Sequence, residues 1–398
     1  MTDREGKGLR RRPRTPEQCF STEDLRRVAR RRLPAPIFHY IDGGADDEVS
    51  LRRNTLAFDD YDLLANCLAD VSIINTGTTL LGRRIGVPFI IAPTGMSRLF
   101  HHDAELAVAR AAARLETFYS LSTLGSTSLE EVAAASEGPK IFQIYVLKDR
   151  ELTRELVIRC KAAGYDALCL TIDTPVAGNR ERDRTTGMAM PPRFTLKSFL
   201  SFAMRPRWAL NLLLHPGFEL ANVAHRVGAL SDSLVSVIDY VNSQMDRSLN
   251  WNDVEWLASE WSGPLILKGV QSVRDAERAI GSGISALMLS NHGGRQLDGA
   301  IAPIDLVREV RAAVGDRLEL ILDGGVRRGT HVLKALALGA DACSIGRPYL
   351  YGLAAGGERG VDRALSILKT EVERDLALIG CRSVKELNSH HVRHRGRR

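Results

Sequence analysis

The chain has 398 residues, 44% of them hydrophobic, a formal net charge of +6 and no apolar run of the length a membrane span needs. Much of the positive charge sits in residues 10–14 and 390–398, outside any folded face, which argues against a nucleic-acid partner. The six cysteines (Cys19, Cys67, Cys160, Cys169, Cys343 and Cys381) stand singly with no CxxC pair, so no zinc or iron–sulfur site, no other metal and no disulfide framework is expected.

Residues 1–20 read as a disordered basic tail; their basic start lacks the apolar segment of a signal peptide, and a cytoplasmic protein is the default expectation. Ser21, followed by Glu23, Asp24, Leu25 and Val28, predicts a short helix start. A second short helix is expected over 36–42, ending at Gly43-Gly44. From position 87 a ladder of apolar, β-branched strands begins: 87–93, 118–123, 140–146, 167–173, 264–269, 286–290, 318–324 and 342–346. Helical stretches separate them at 104–114, 129–135, 151–163, 252–259, 273–280, 304–313 and 330–338, and an eighth starts near Tyr349. Eight continuous apolar strands alternating with helices predict an α/β fold, a (β/α)₈ TIM barrel forming one domain over 21–386, with a basic tail at 387–398. The alternative is an open doubly wound sheet, which lacks its GxGxxG turn here.

One connection breaks the rhythm. Roughly ninety residues separate Asp173 from Pro264, far above an ordinary βα loop, and an insertion is placed at about 174–250. Within it, 194–220 mixes Phe199, Leu200, Phe202, Trp208, Leu210, Leu212, Leu213 and Leu214 with Lys197, Arg205 and Arg207, directly after Arg193. Two readings stay open: a lid packed on the barrel, or an interfacial segment that dips into an anionic bilayer without spanning it.

Polar residues gather where the predicted strands end: Pro93-Thr94-Gly95, Ser122, Gln143 and Tyr145, Thr171 and Asp173, Lys268, Ser290-Asn291-His292, Asp323-Gly324-Gly325, and Gly346-Arg347. A charge at the end of an apolar strand is buried unless it serves a site, and barrels build their sites on this face. The loops after strands seven and eight carry glycines with Arg327 and Arg347, a pattern suited to a phosphate. After strand six, His292 can exchange a proton near neutral pH, and Arg295 can grip a carboxylate; Arg180 offers a second guanidinium. These groups suit a small carboxylate.

Seven segments carry a family resemblance over about residues 20–387: Tyr40-Ile41-Asp42-Gly43-Gly44-Ala45, Ala92-Pro93-Thr94-Gly95, Gln143-Ile144-Tyr145, Thr171-Ile172-Asp173-Thr174-Pro175, Leu267-Lys268-Gly269, Ser290 to Gln296, and Asp323 to Gly329. In combination they resemble the FMN-dependent L-2-hydroxy-acid dehydrogenases and oxidases. The resemblance implies FMN as cofactor, His292 as active-site base and Asp173 as its carboxylate partner. It implies that Arg180 and Arg295 hold the substrate carboxylate, with Tyr40 and Tyr145 against the substrate. Lys268 matches the lysine beside the flavin N1–O2 edge. Pro93, Thr94, Gly95, Ser122, Gln143, Thr171 and Ser290 match positions lining the isoalloxazine and ribityl chain; Asp323, Gly325, Arg327, Gly346 and Arg347 match ribityl and phosphate contacts.

Two departures bear on specificity. Gly95 stands where glycolate and lactate oxidases have alanine, which leans toward a dehydrogenase passing electrons to a quinone or other carrier. The alternative is an oxidase that uses oxygen and makes peroxide. Leu124 stands where glycolate oxidase has an aromatic residue, so the pocket over the substrate side chain is reshaped; a lactate- or mandelate-like acid is expected. No haem-binding domain is expected before the barrel. The resemblance further implies a homotetramer, and the insertion suggests peripheral attachment to the inner face of a membrane.

Overall fold

The computed structural model describes residues 13–188, 195–215, 219–226 and 243–396. Eight parallel strands close into a barrel: β1 (Phe89–Thr94), β2 (Tyr119–Ser122), β3 (Lys140–Ile144), β4 (Ala167–Thr171), β5 (Leu265–Val270), β6 (Ala286–Leu289), β7 (Glu319–Asp323) and β8 (Ala342–Ile345). The ring shuts where Cys343, Ser344 and Ile345 of β8 register against Phe89, Ile90 and Ile91 of β1. Alternation along each strand splits the apolar side chains between two cores. Ile90, Ile141, Cys169, Ile266, Met288 and Ile321 fill the barrel interior, while their neighbours meet the helical layer.

A hairpin of Thr78–Leu80 and Arg83–Ile85 plugs the N-terminal mouth with Leu80, Leu81 and Ile85, which join the interior core. That leaves the C-terminal mouth as the open end. Helix Thr22–Arg32 is capped by Ser21, whose Oγ accepts from Asp24 N at 3.1 Å, and helix Ala35–Asp42 reaches over the open mouth. The chain's last long helix, Arg347–Ile379, breaks at Gly356–Gly357, where the backbone leaves helical dihedrals; a Cβ at Gly357 would lie 2.4 Å from Asp103 Oδ2.

Both chain ends differ from the expectation of charged tails. Residues 13–20 are placed: Pro16–Gln18 form a 3₁₀ turn, Cys19 is fully buried, and Arg363 Nη2 donates to the Cys19 carbonyl at 2.7 Å. Residues 1–12 lie outside the described residues. At the other end Val392–His394 pair antiparallel with Tyr61–Leu63, burying His391 and Val392 among basic neighbours whose charge alone suggested solvent.

Among the described residues of the insertion, helices Leu196–Ala203 and Pro206–Leu214 pack as a hairpin on the rim of the barrel. Ser198 Oγ donates to the Thr186 carbonyl at 2.7 Å, and Trp208 Nε1 donates to the Leu99 carbonyl at 2.8 Å. Phe202 stacks on Trp208, and His215 stacks on His102. These contacts use one face. The other leaves Leu196, Leu200, Met204, Leu210, Leu213 and Leu214 exposed, with Leu196 and Leu213 at 86% and 76%. Arg193 and Phe194 lie outside the described residues.

Candidate active site

A cavity of about 850 Å³ opens at the C-terminal mouth, and the predicted site residues meet there from all eight strand ends. Tyr40, Pro93, Thr94, Gly95, Ser122, Gln143, Tyr145, Thr171, Arg180, Lys268, His292, Arg295, Asp323, Gly325, Arg327, Gly346 and Arg347 all line it. Asp173 and Ser290 stand behind this lining, each bonded to a residue that belongs to it.

The strand-six loop is bent to aim one imidazole. His292 has φ +56°, a left-handed conformation uncommon for a side chain of this size, and its N–H donates to Ser290 Oγ at 3.0 Å. Its Nδ1 lies 2.9 Å from Asp173 Oδ1, whose side chain is 1% exposed against 26% for His292. The carboxylate holds the proton on Nδ1 and leaves Nε2 as a free acceptor. Burial and the nearby Lys268 ammonium hold the imidazole below the usual histidine range, so the acceptor form dominates at neutral pH. Burial works against the Asp173 carboxylate, but His292 and Lys268 together outweigh it and keep its pKa below the ordinary value. Lys268 is buried too; Asp173 and Asp323 overcome its desolvation and keep it protonated. Its Nζ lies 4.0 Å from Asp323 Oδ2, which also accepts from Ser290 Oγ at 2.7 Å. Close approach of the β5 and β4 ends requires Gly269, at φ +106°: a Cβ there would meet Asp173 Cβ at 2.7 Å.

Across the mouth, two guanidinium groups converge on one ring. Arg295 and Arg180 sit 5.0 and 5.3 Å from the Tyr40 centroid. Arg295 Nη1 donates to the Tyr40 carbonyl at 2.6 Å, while Arg180 Nε meets Asp183 Oδ2 at 3.3 Å. Burial and the neighbouring Arg180 cation lower Arg295 to about 10. Two half-buried cations against one carboxylate leave room, electrostatically, for one more anion. Burial raises the Tyr145 phenol to about 12, so it remains a neutral hydrogen-bond group.

The opposite part of the cavity fits FMN by its unspent polar atoms. Gln143 Nε2, Thr171 Oγ1 and Ser344 Oγ line the cavity and are buried without a hydrogen-bond partner among the described residues, although Gln143 Oε1 is held by Ser122 Oγ at 2.8 Å. Such groups cost free energy unless a ligand satisfies them. Lys268 adds a fixed positive charge on the same side. A Cβ at Gly346 would meet only Ala92, at 3.7 Å, so this residue leaves space for a ligand beside the start of the last long helix. Arg347 has a second duty: its guanidinium donates to the carbonyls of Ile41, Gly43 and Gly293 at 3.0, 2.8 and 2.9 Å, tying helix Ala35–Asp42 to the His292 loop.

Three contributors had no assigned role in the sequence. Gln296 Nε2 donates to the carbonyls of Asp173 and Val176, pinning the loop that carries the acid partner. Tyr349 OH donates to the Ala92 carbonyl at 3.1 Å and contacts Thr94 Oγ1. Arg247 lines the cavity from the end of the insertion, where no periodic pattern marks it. Of the three, only Gln296 carries a local signal, as the last residue of the Ser290 to Gln296 segment.

The chain matches the family described as FMN-dependent dehydrogenase over residues 29–394. It is 42% identical to an L-lactate oxidase of Nostoc sp., covering 94% of this chain and 97% of that one. It is 41% identical to an L-lactate dehydrogenase of Caulobacter vibrioides, covering 92% and 96%. The crystal structure of a monotopic membrane protein, (S)-mandelate dehydrogenase, superposes with a TM-score of 0.91 at 38% identity, covering 94% of this chain and 99% of that one. The chain belongs to the FMN-dependent dehydrogenase family and is an FMN-using oxidoreductase of the 2-hydroxy-acid dehydrogenase and oxidase group.

Proposed function

We propose that the protein oxidises a lactate- or mandelate-like L-2-hydroxy acid to the 2-oxo acid and passes the electrons to a quinone or similar carrier. One observation carries this reading: an imidazole acceptor backed by a buried carboxylate faces the same cavity as two guanidinium groups short of an anion. In this reading Arg180 and Arg295 hold the substrate carboxylate, and Tyr40 and Tyr145 bound the rest of the molecule. His292 Nε2 takes a proton from the substrate, and Asp173 stabilises the imidazolium that results. FMN, when bound, supplies the two-electron acceptor that no side chain can. Gln143, Thr171 and Lys268 orient its ring system, while Arg327, Gly346 and Arg347 take its phosphate end.

Peripheral attachment to the inner face of a membrane belongs to the same reading. It is supported by the exposed leucines of the insertion hairpin and by likeness to a monotopic relative. Among the described residues no helix is long and apolar enough to cross a membrane. Self-association as a homotetramer is also proposed, supported by Leu297 and Ile301, which are exposed next to the Asp298 that accepts from Val49 N.

A specific comparison favours keeping an oxidase as the second reading: the oxidase and dehydrogenase relatives are equally similar. Turnover of a panel of 2-hydroxy acids, with oxygen and a quinone analogue as rival acceptors, decides between them. A dehydrogenase reduces the quinone far faster than it makes peroxide; comparable rates assign an oxidase, and no turnover of any 2-hydroxy acid overturns both.

A further inference from the structure

The hairpin with the exposed leucines also closes a second cavity. It measures about 510 Å³ and is lined by six guanidinium-bearing residues: Arg14, Arg31, Arg32, Arg98, Arg205 and Arg207. They come from three places in the chain: the N-terminal segment and the end of helix Thr22–Arg32, the loop after β1, and the turn between the two hairpin helices. Trp208 and Phe100 supply apolar wall.

Among the described residues, five of these six arginines, all but Arg98, are gathered without a carboxylate partner. Elsewhere Arg26 pairs with Asp42, Arg150 with Asp246 and Asp253, and Arg182 with Asp42 and Glu48. Around this cavity Arg14, Arg31, Arg32, Arg205 and Arg207 make no ion pair with any described carboxylate. Arg31 donates to the Pro13 carbonyl, Arg98 to the His215 carbonyl and Arg205 Nη1 to the Met204 carbonyl. Arg205 Nε is buried with no hydrogen-bond partner among the described residues. Burial and then the Arg207 charge lower the pKa of Arg32, with Glu17 on the adjoining turn acting in the opposite sense. Asp103, near the rim, is engaged by His101 and His102. Like charges held together at a partly buried wall are unfavourable until an anion joins them.

The position of the cavity selects the anion. Both hairpin helices project their leucines outward, and Arg205 and Arg207 flank the turn between them. An amphipathic element of this kind sinks roughly 5–10 Å into the headgroup and acyl boundary. We propose that the cavity takes the phosphate headgroup of an anionic phospholipid from the leaflet that receives the hairpin leucines. The proposal rests on the peripheral-membrane reading above and adds a stereochemically defined lipid site to it. Several guanidinium groups around one phosphate give forked, charge-assisted hydrogen bonds that a flat basic surface lacks.

The test is co-sedimentation of the full-length holoenzyme with vesicles of phosphatidylcholine alone or mixed with phosphatidylglycerol, at low salt. Intact enzyme should prefer the anionic vesicles, and Arg32→Gln/Arg205→Gln/Arg207→Gln should weaken that binding by on the order of 100-fold. A charge-matched control, Arg52→Gln/Arg84→Gln/Arg308→Gln, should retain it. Flavin absorbance and turnover with a soluble dye confirm that each variant is folded. Leu210→Ser/Leu213→Ser/Leu214→Ser should lose both vesicle types. An anionic preference that survives in the cavity variant, or falls equally in the control, overturns the headgroup site while leaving membrane attachment intact. Absence of binding to either vesicle overturns attachment and the site together. If glycerol phosphate stabilises the enzyme thermally through these arginines while anionic vesicles gain no preference, the ligand is a soluble phosphate ester and the lipid assignment is wrong.

Discussion

Asp173 and His292 lie 119 residues apart, yet their side chains meet at 2.9 Å, with the carboxylate sealed and the imidazole open to the cavity. The pair brings the end of β4 against the loop after β6, and Lys268 at the end of β5 stands between them in the electrostatic order. Burial and Lys268 depress the histidine pKa, while Asp173 raises it. The acid limb of kcat/KM for the free enzyme is therefore expected below the ordinary imidazole value of 6.5, with activity lost as pH falls through it. Asp173→Asn removes the group that favours imidazolium and should move this limb to lower pH while cutting the rate. A limb that moves upward in that variant contradicts the assignment.

Arg295 is poised for a planar fork by its stacking on Tyr40 and its bond to the Tyr40 carbonyl. Arg295→Lys should raise KM for the hydroxy acid by about 10- to 100-fold, since an ammonium keeps the charge but loses the second hydrogen bond. FMN content should stay at the parental level, because no FMN contact is assigned to this residue. An unchanged KM would remove Arg295 from carboxylate binding.

Gly95 and Leu124 are matched in size. A Cβ on Gly95 would lie 2.9 Å from both Leu124 Cβ and its carbonyl oxygen, so the added methyl meets Leu124 instead of open cavity. Gly95→Ala should destabilise the fold by about 1–3 kcal/mol, as overpacking does. Leu124→Gly, which removes the Cβ that the new methyl meets, should recover part of that loss in a double-mutant cycle. Additive effects in thermal unfolding would show that the two side chains are not coupled.

His331 is buried, stacks on Phe58 at 4.2 Å and places Nδ1 3.3 Å from the Gly325 carbonyl in the cavity-lining loop. Burial lowers its pKa to about 3 from 6.5. Below pH 6.5 the unfolded chain binds a proton that the folded one refuses, so stability falls with pH across the interval down to about 3. At about pH 5 the loss from this one group is roughly 2 kcal/mol. His331→Phe should flatten that part of the stability curve in denaturant titrations; an unchanged acid dependence contradicts the buried neutral state.

The barrel was legible because each strand is a continuous apolar run ended by a polar residue, a pattern that only a two-sided core and a single working face explain. The cavity residues were legible for the same reason: Lys268, Asp323 and His292 interrupt runs that would otherwise bury charge. The ends of the chain misled because charge density hid Cys19, His391 and Val392, which are buried by partners hundreds of residues away. The match of Gly95 to Leu124 and the convergence of six arginines under the hairpin depend on distances that no local pattern carries. In the insertion, composition marked an amphiphilic segment, but only packing through Ser198, Phe202 and Trp208 shows which face is left over.

The central claim is that His292 accepts the substrate proton during flavin reduction. Stopped-flow absorbance of the FMN band, with saturating 2-hydroxy acid and no external acceptor, measures that half-reaction alone. His292→Ala should retain FMN and lose on the order of 10²- to 10⁴-fold in the reduction rate, the scale of a general base. A His292→Ala holoenzyme that reduces its flavin at the parental rate would contradict the account.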